Sequence, residues 1–174
     1  MKKKKPPAME WLWAPWRMPY IRVAAKTEAP TDCFFCDYAG APRKDRKNLV
    51  LHRGTHVFAV LNRYPYTGGH LMVAPYAHKG DLELLSPAER AELMDVAIHM
   101  ESALKKVLKP HGFNLGINLG RPAGAGVPGH VHLHVVPRWN GDTNFMTTVG
   151  NVKVIPQALL EIYDELQSAL SGRR

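Results

Sequence analysis

Cysteine is scarce in this chain of 174 residues: only Cys33 and Cys36 occur. That excludes a small scaffold stapled by disulfides. Long apolar runs are also missing. No stretch approaches the roughly 20 residues needed to cross a bilayer, so a membrane is not an expected partner. The start, Lys2 to Lys5 followed by Pro6-Pro7, carries positive charge with no apolar core behind it, unlike a secretory signal. The cytoplasm is the expected compartment. Acidic residues are outnumbered, 15 Asp+Glu against 23 Lys+Arg, for a formal charge of +8. Four of those positives lie in Lys2 to Lys5, which leaves +4 for the rest. The lysine run reads as a solvated tail. The remaining excess suits an anionic ligand and gives only a weak expectation of nucleic-acid binding. Apolar residues are not scarce: at 45% hydrophobic the chain can bury one real core, and disorder is disfavoured.

The order of residues divides the chain into three stretches. Residues 1–32 hold the basic tail and an aromatic arm (Trp11, Trp13, Trp16, Tyr20) that is expected to pack on the body. Residues 33–139 form the main domain, and residues 140–174 a polar loop and a C-terminal helix packing on it. Asp37 to Asn48 is polar and basic and reads as a surface loop. Strands are expected at Leu49–His52, His56–Leu61, His70–Pro75, Asn114–Leu119 and His130–Pro137, with a short one at Val152–Ile155. Ser86-Pro87-Ala88-Glu89 supplies an N-cap, a proline at the first helical position and a glutamate at the third. Leu93, Ala97, Met100, Leu104 and Val107 then repeat at helical spacing until Pro110. Leu159, Tyr163, Leu166 and Leu170 mark the last helix. Clustered strands with helices between them predict an α+β fold with a mainly antiparallel sheet.

Two motifs carry chemistry. Cys33-Phe34-Phe35-Cys36 is, on its spacing, a metal half-site, a redox pair or two buried thiols. As a half-site it leaves a tetrahedral ion two ligands short, and histidine, present nine times, is the residue to complete it. The second motif is Gly129-His130-Val131-His132-Leu133-His134-Val135-Val136-Pro137. In a strand, alternate side chains share a face. His130, His132 and His134 would therefore point one way, with Val131, Leu133 and Val135 buried behind them. Three histidines in register are costly to bury without a purpose. They can bind a metal, bind phosphate as cations, or present an imidazole that attacks phosphorus. The preceding ten residues, Gly120 to Gly129, hold four glycines and two prolines. Backbone N–H groups of such a loop can cradle phosphate oxygens, which favours phosphoryl or nucleotidyl chemistry.

His130-Val131-His132-Leu133-His134-Val135-Val136 resembles the histidine-triad (HIT) pattern of three histidines alternating with apolar residues. The resemblance runs from Cys33 to Trp139. Pro137 to Met146, and Trp16-Arg17-Met18-Pro19-Tyr20 in the arm, look like the branch that contains diadenosine tetraphosphate phosphorylases and dinucleoside polyphosphate hydrolases. It implies a HIT-like fold with a long central helix, and a nucleotide-binding hydrolase or transferase. Dinucleoside polyphosphates would be cleaved at the α-phosphate through a nucleotidyl-histidine, with water or phosphate as acceptor.

Residue by residue, the resemblance implies His132 as nucleophile and His134 as the group assisting the leaving oxygen. His70 would support the nucleophile. Asn62 would hold the ribose hydroxyls, Asn118 would lie at the phosphate with Gly124, Ala125 and Gly126, and Trp139 would belong to the nucleotide site. It also implies a structural zinc on Cys33, Cys36, His78 and His130, no organic cofactor, and a homodimer through Ser86–Lys109. Many HIT hydrolases carry Gln or Ser just before the triad. Here Gly124 to Gly129 holds no polar side chain, so leaving-group help is expected from His134, the backbone or the Asp142–Asn144 loop. Three rival readings follow: a nucleoside phosphoramidate hydrolase, an AMP-binding regulatory protein without turnover, and a metallohydrolase with its ion on the triad.

Overall fold

The computed structural model describes residues 33–143 and 154–172. The aromatic arm, the lysine run and the first half of the expected strand at 152–155 lie outside them; Val154 and Ile155 are described and are not in a strand. In chain order come α1 (Phe34–Ala39), a 3-10 turn (Pro42–Lys44), α2 (Asp45–Asn48), β1 (Val50–Arg53), β2 (Val57–Leu61) and β3 (Leu71–Pro75). A 3-10 turn (Leu82–Leu84), α3 (Pro87–Leu108), β4 (Gly112–Ile117), β5 (Leu133–Arg138) and α4 (Leu159–Leu170) follow. The five strands form one antiparallel sheet ordered β1-β2-β3-β5-β4. The α+β, mainly antiparallel architecture is as expected.

Every residue of β2 and β3 is buried, so this central pair is covered on both faces. On one side lies α3, which buries Leu93, Val96, Ala97, Met100, Ala103 and Leu104 at helical spacing. Each fully buried leucine here contributes about 1.5–3 kcal/mol from the apolar surface removed from water. The start of α3 follows from its sequence: Ser86 Oγ accepts from Glu89 N–H, and Glu89 returns a bond to Ser86 N–H. Lys79 pairs with the same carboxylate at 2.7 Å. At the sheet's β1 end, α4 supplies the partners the strand lacks. Gln167 Nε2 donates to Leu51 O at 2.8 Å and Tyr163 Oη to Val50 O at 3.2 Å. At the other end β4 carries exposed residues.

Two expectations are corrected. Residues 37–48 are not a surface loop but the end of α1, a 3-10 turn and α2. Helices this short have no readable periodicity; Arg53 holds them. Its guanidinium bonds both oxygens of Asp45 and the carbonyls of Tyr38 (2.6 Å) and Ala39 (3.1 Å), groups a helix end leaves unpaired. The triad strand begins at Leu133 instead of His130. Val131 N–H donates to Lys79 O at 2.7 Å, so the chain joins the sheet ladder only after the first two histidines.

Candidate functional site

Register sets the floor of the site. Gly116, Asn114 and Gly112 on β4 pair with His134, Val136 and Arg138 on β5. Alternation puts these side chains on one face. There all but Gly112 line a groove of about 380 Å³ together with Tyr66, Thr67, Asn118, Asp142 and Thr143. Arg138 forks onto both oxygens of Asp142 (2.5 and 2.9 Å) and donates to Asn114 Oδ1 (2.8 Å). This pairing holds the Asp142 carboxyl down at about 2. The loop from Asn62 to Gly69 forms another wall. Gly69 is obligatory in it: its φ is +77°, and a Cβ would stand 2.5 Å from Leu108 Cδ1.

Backbone groups dictate the protonation of each histidine. Carbonyls only accept, so His132 Nδ1, 2.8 Å from His130 O, carries the proton. In the neutral ring Nε2 is then the lone-pair nitrogen. His132 is 4% exposed, and burial lowers its pKa below the ordinary imidazole value, favouring that neutral form. His70 Nδ1 accepts from Tyr66 N–H at 3.0 Å, so its proton sits on Nε2, which donates to His134 Nδ1 at 3.0 Å. His134 must then carry its own proton on Nε2. The rings of His132 and His134 stand 4.8 Å apart, near perpendicular. A ring with a lone-pair nitrogen and a ring with an N–H donor are thus neighbours, an arrangement suited to attack on phosphorus with help for the departing oxygen.

The first triad histidine faces elsewhere. His130 is fully buried and its Nε2–H donates to Pro75 O at 2.8 Å, which leaves Nδ1 bare. That nitrogen lies 3.3 Å from Cys33 Sγ and 3.6 Å from Cys36 Sγ, and His78 Nδ1 lies 3.3 Å from Cys36 Sγ. All four ligand atoms fall within 4.8 Å of one another. A tetrahedral zinc, about 2.3 Å from sulfur and 2.0–2.1 Å from nitrogen, separates S and N by about 3.6 Å. The cluster matches that geometry, and the carbonyl bond to His130 is the kind of outer contact that orients a ligating imidazole. Burial and the neighbouring Cys33 thiol raise the Cys36 pKa; a cation between the two sulfurs would reverse that preference. Four protein ligands close such a site.

The structure brings Cys33, Cys36, His78 and His130 together, and separately His132, His134 and His70. Of the two other histidines, His70 bonds His134, so its support would reach His132 only through that neighbour. Asn62 contacts His70 (Nδ2 to Nδ1, 3.5 Å) and turns its Oδ1 to Tyr64 N–H. Asn118 shares the groove with His134. Gly124, Ala125, Gly126, Asn62 and Trp139 are not among the groove-lining residues; Ala123 is. Trp139 instead donates Nε1–H to Leu108 O at 3.3 Å at the end of α3. Asn114 and Arg138 escaped the sequence reading. The alternation that aligned the histidines, continued past His134 to Val136 and Arg138, was the signal for the latter.

This arrangement is that of a histidine-triad protein, and the chain belongs to that family: the HIT domain model matches residues 43–141. An "AP-4-A phosphorylase" of Mycobacterium tuberculosis is 46% identical over 154 residues, spanning 87% of this chain and 79% of that one. An asymmetrical bis(5'-nucleosyl)-tetraphosphatase of Schizosaccharomyces pombe is 33% identical over 93 residues, covering 53% of this chain and 50% of its own. Among solved structures, a Zn-bound histidine triad family protein from Mycobacterium smegmatis superimposes with a TM-score of 0.66 at 29% identity. It covers 81% of this chain and 94% of that one.

Proposed function

We infer that this chain is a nucleotide-binding enzyme that cleaves dinucleoside polyphosphates at the α-phosphate, with His132 as nucleophile. The observation that carries the reading is the pair of enforced tautomers: His132 Nε2 bare, and His134 Nε2 protonated beside it. In the first step Nε2 of His132 bonds to the α-phosphorus as the bond from phosphorus to the bridging oxygen breaks. The N–H of His134 stabilises the charge arriving on that oxygen. In the second step water or phosphate displaces the histidine and releases the nucleotide. Asn118 and the groove around it hold the phosphates. The activities named for the mycobacterial and yeast relatives support this substrate class.

Cys33, Cys36, His78 and His130 would hold a structural zinc, whose closed shell leaves no position for substrate. A homodimer is part of the same proposal: α3 exposes Met94 (48%) and Ile98 (53%) on its outer face, and a monomer on gel filtration would overturn it.

The enzymatic reading is tested by intact mass spectrometry of wild type and His132→Ala after brief mixing with diadenosine tetraphosphate, with and without phosphate. An adenylyl adduct or released products in wild type, lost in the variant, is expected; ADP formed only with phosphate would identify a phosphorylase. Binding of AMP with no adduct and no products would refute cleavage of dinucleoside polyphosphates and favour a phosphoramidate substrate or an AMP-binding protein without turnover.

A further inference from the structure

The Cys-Phe-Phe-Cys motif does more than deliver two sulfurs. Its third residue, Phe35, lies between the cysteines, fully buried. Its ring centroid is 5.0 Å from that of His130 at 38°, and 4.9 Å from that of His132 at 37°. Phe58 of β2 backs it edge-on at 6.3 Å. One side chain therefore touches both the histidine that would ligate metal and the one that would attack phosphorus.

The hydrogen bond from His132 Nδ1 to His130 O holds one edge of the imidazole and leaves the ring able to swing about it. The Phe35 ring removes that freedom by packing. Its own placement depends on α1, a helix of six residues with no side-chain cap. A helix of that length has no stability of its own in water. Tertiary contacts must hold it: Arg53 does so at its C-terminal end, and at its start the two cysteines flanking Phe35 reach toward His130 and His78. We propose that Phe35 is a positioning residue: the metal cluster pins α1, and α1 presses Phe35 against His132 so that the nucleophilic nitrogen keeps its direction. This deepens the assignment of His132 as nucleophile and rests on it.

The test compares zinc-loaded wild type, Phe35→Leu and Phe58→Leu. Leucine keeps an apolar side chain at either site but removes the flat ring. Phe58 packs on Phe35 and stacks on Tyr76 (5.5 Å). Zinc content, the rate of adduct formation on His132, KM and the imidazole N–H signals in 15N-edited NMR spectra are measured for each. For Phe35→Leu we expect one zinc per chain, KM within about twofold of wild type, and adduct formation slowed about 10²-fold, the effect of misplacing a reacting group by about 1 Å. Its His132 Nδ1–H signal should broaden or exchange faster, with the His130 Nε2–H signal retained. Phe58→Leu should melt lower yet keep both rate and signal. An unchanged rate and His132 signal in Phe35→Leu would overturn the proposal, as would an equal loss in Phe58→Leu. If wild type itself forms no adduct and no products, the enzymatic reading fails, and the NMR comparison alone decides whether Phe35 orders His132.

Discussion

Replacing Gly129 by alanine should weaken metal binding without harming the metal-free fold. The backbone at Gly129 does not adopt the left-handed region, so alanine is conformationally admissible there. Its Cβ would lie 3.1 Å from His78 Nε2 and 3.5 Å from Cε1. The first distance is a few tenths of an ångström inside ordinary contact, which begins at about 3.5 Å. In the metal-free protein His78 is exposed and can turn aside. The substitution then acts mainly on the unfolded chain and stabilises by about 0.4–1 kcal/mol. Once metal is bound, Nδ1 of the same ring is committed to the ion, and coordination tolerates only about 0.2 Å of displacement. The ligand shell has to absorb the clash. Disturbances of this order around a ligating histidine cost about 10–100-fold in affinity, or about 1.4–2.7 kcal/mol. The assay is competition for zinc against a chromophoric chelator, with thermal melts in excess chelator alongside. The expected result is a Kd raised 10–100-fold and a chelator-treated Tm equal to wild type or about 1–4 °C higher. Wild-type zinc affinity would refute the reasoning, and so would a lower Tm in chelator, because the clash would then not depend on the metal.

Three further outcomes follow from the same contacts. Glu89, bonded by Lys79 and capping α3, has its carboxyl held down at about 2 against an ordinary 4.5. Its contribution is complete above about pH 4.5 and is lost as pH falls toward 2. Glu89→Gln should therefore lower the neutral-pH stability by about 1–2 kcal/mol and flatten the acid dependence of Tm in that window; an unaltered acid limb would remove Glu89 from the account. His70→Phe deletes the relay that sets the His134 proton on Nε2. Steady-state kinetics on diadenosine tetraphosphate should show kcat reduced about 10²-fold with KM little changed, and a normal kcat would show that His134 needs no relay. Asn118→Ala, in the groove, should raise KM about tenfold, the loss of one hydrogen bond to a charged group, with kcat held; a pure kcat effect would place Asn118 at the reacting centre.

What the sequence disclosed and what it hid divide along physical lines. The long helix was legible because its start is written locally in Ser86, Pro87 and Glu89, and its buried face repeats from Leu93 to Leu104. The metal cluster was legible once the family pattern supplied His78, although Cys33 and His130 are 97 residues apart. The helices at 34–48 were hidden because their order comes from Arg53 and Asp45, not from periodicity. The start of β5 was misplaced by three residues, since alternation continues through His130 and His132 while the backbone of Val131 bonds to a loop. Trp139, implied at the nucleotide by the family pattern, gives its Nε1–H to Leu108 O at the end of α3. An aromatic beside an active strand carries no local mark of which side it packs on.

The spacing of the four clustered ligands has a consequence for how the protein is made. Cys36 and His78 are separated by 42 positions and Cys33 and His130 by 97. A chain emerging from the ribosome offers two sulfurs first, a third ligand only after β1, β2 and β3, and the fourth after α3 and β4. The four ligands come together only when nearly the whole sheet has been synthesised and closed, so an ion held by them would not serve as an early nucleus as it does in a small finger. An ion that needs all four would load late and act as an assembly checkpoint: a chain truncated before His130, or misfolded across the sheet, offers at most three of the four ligands.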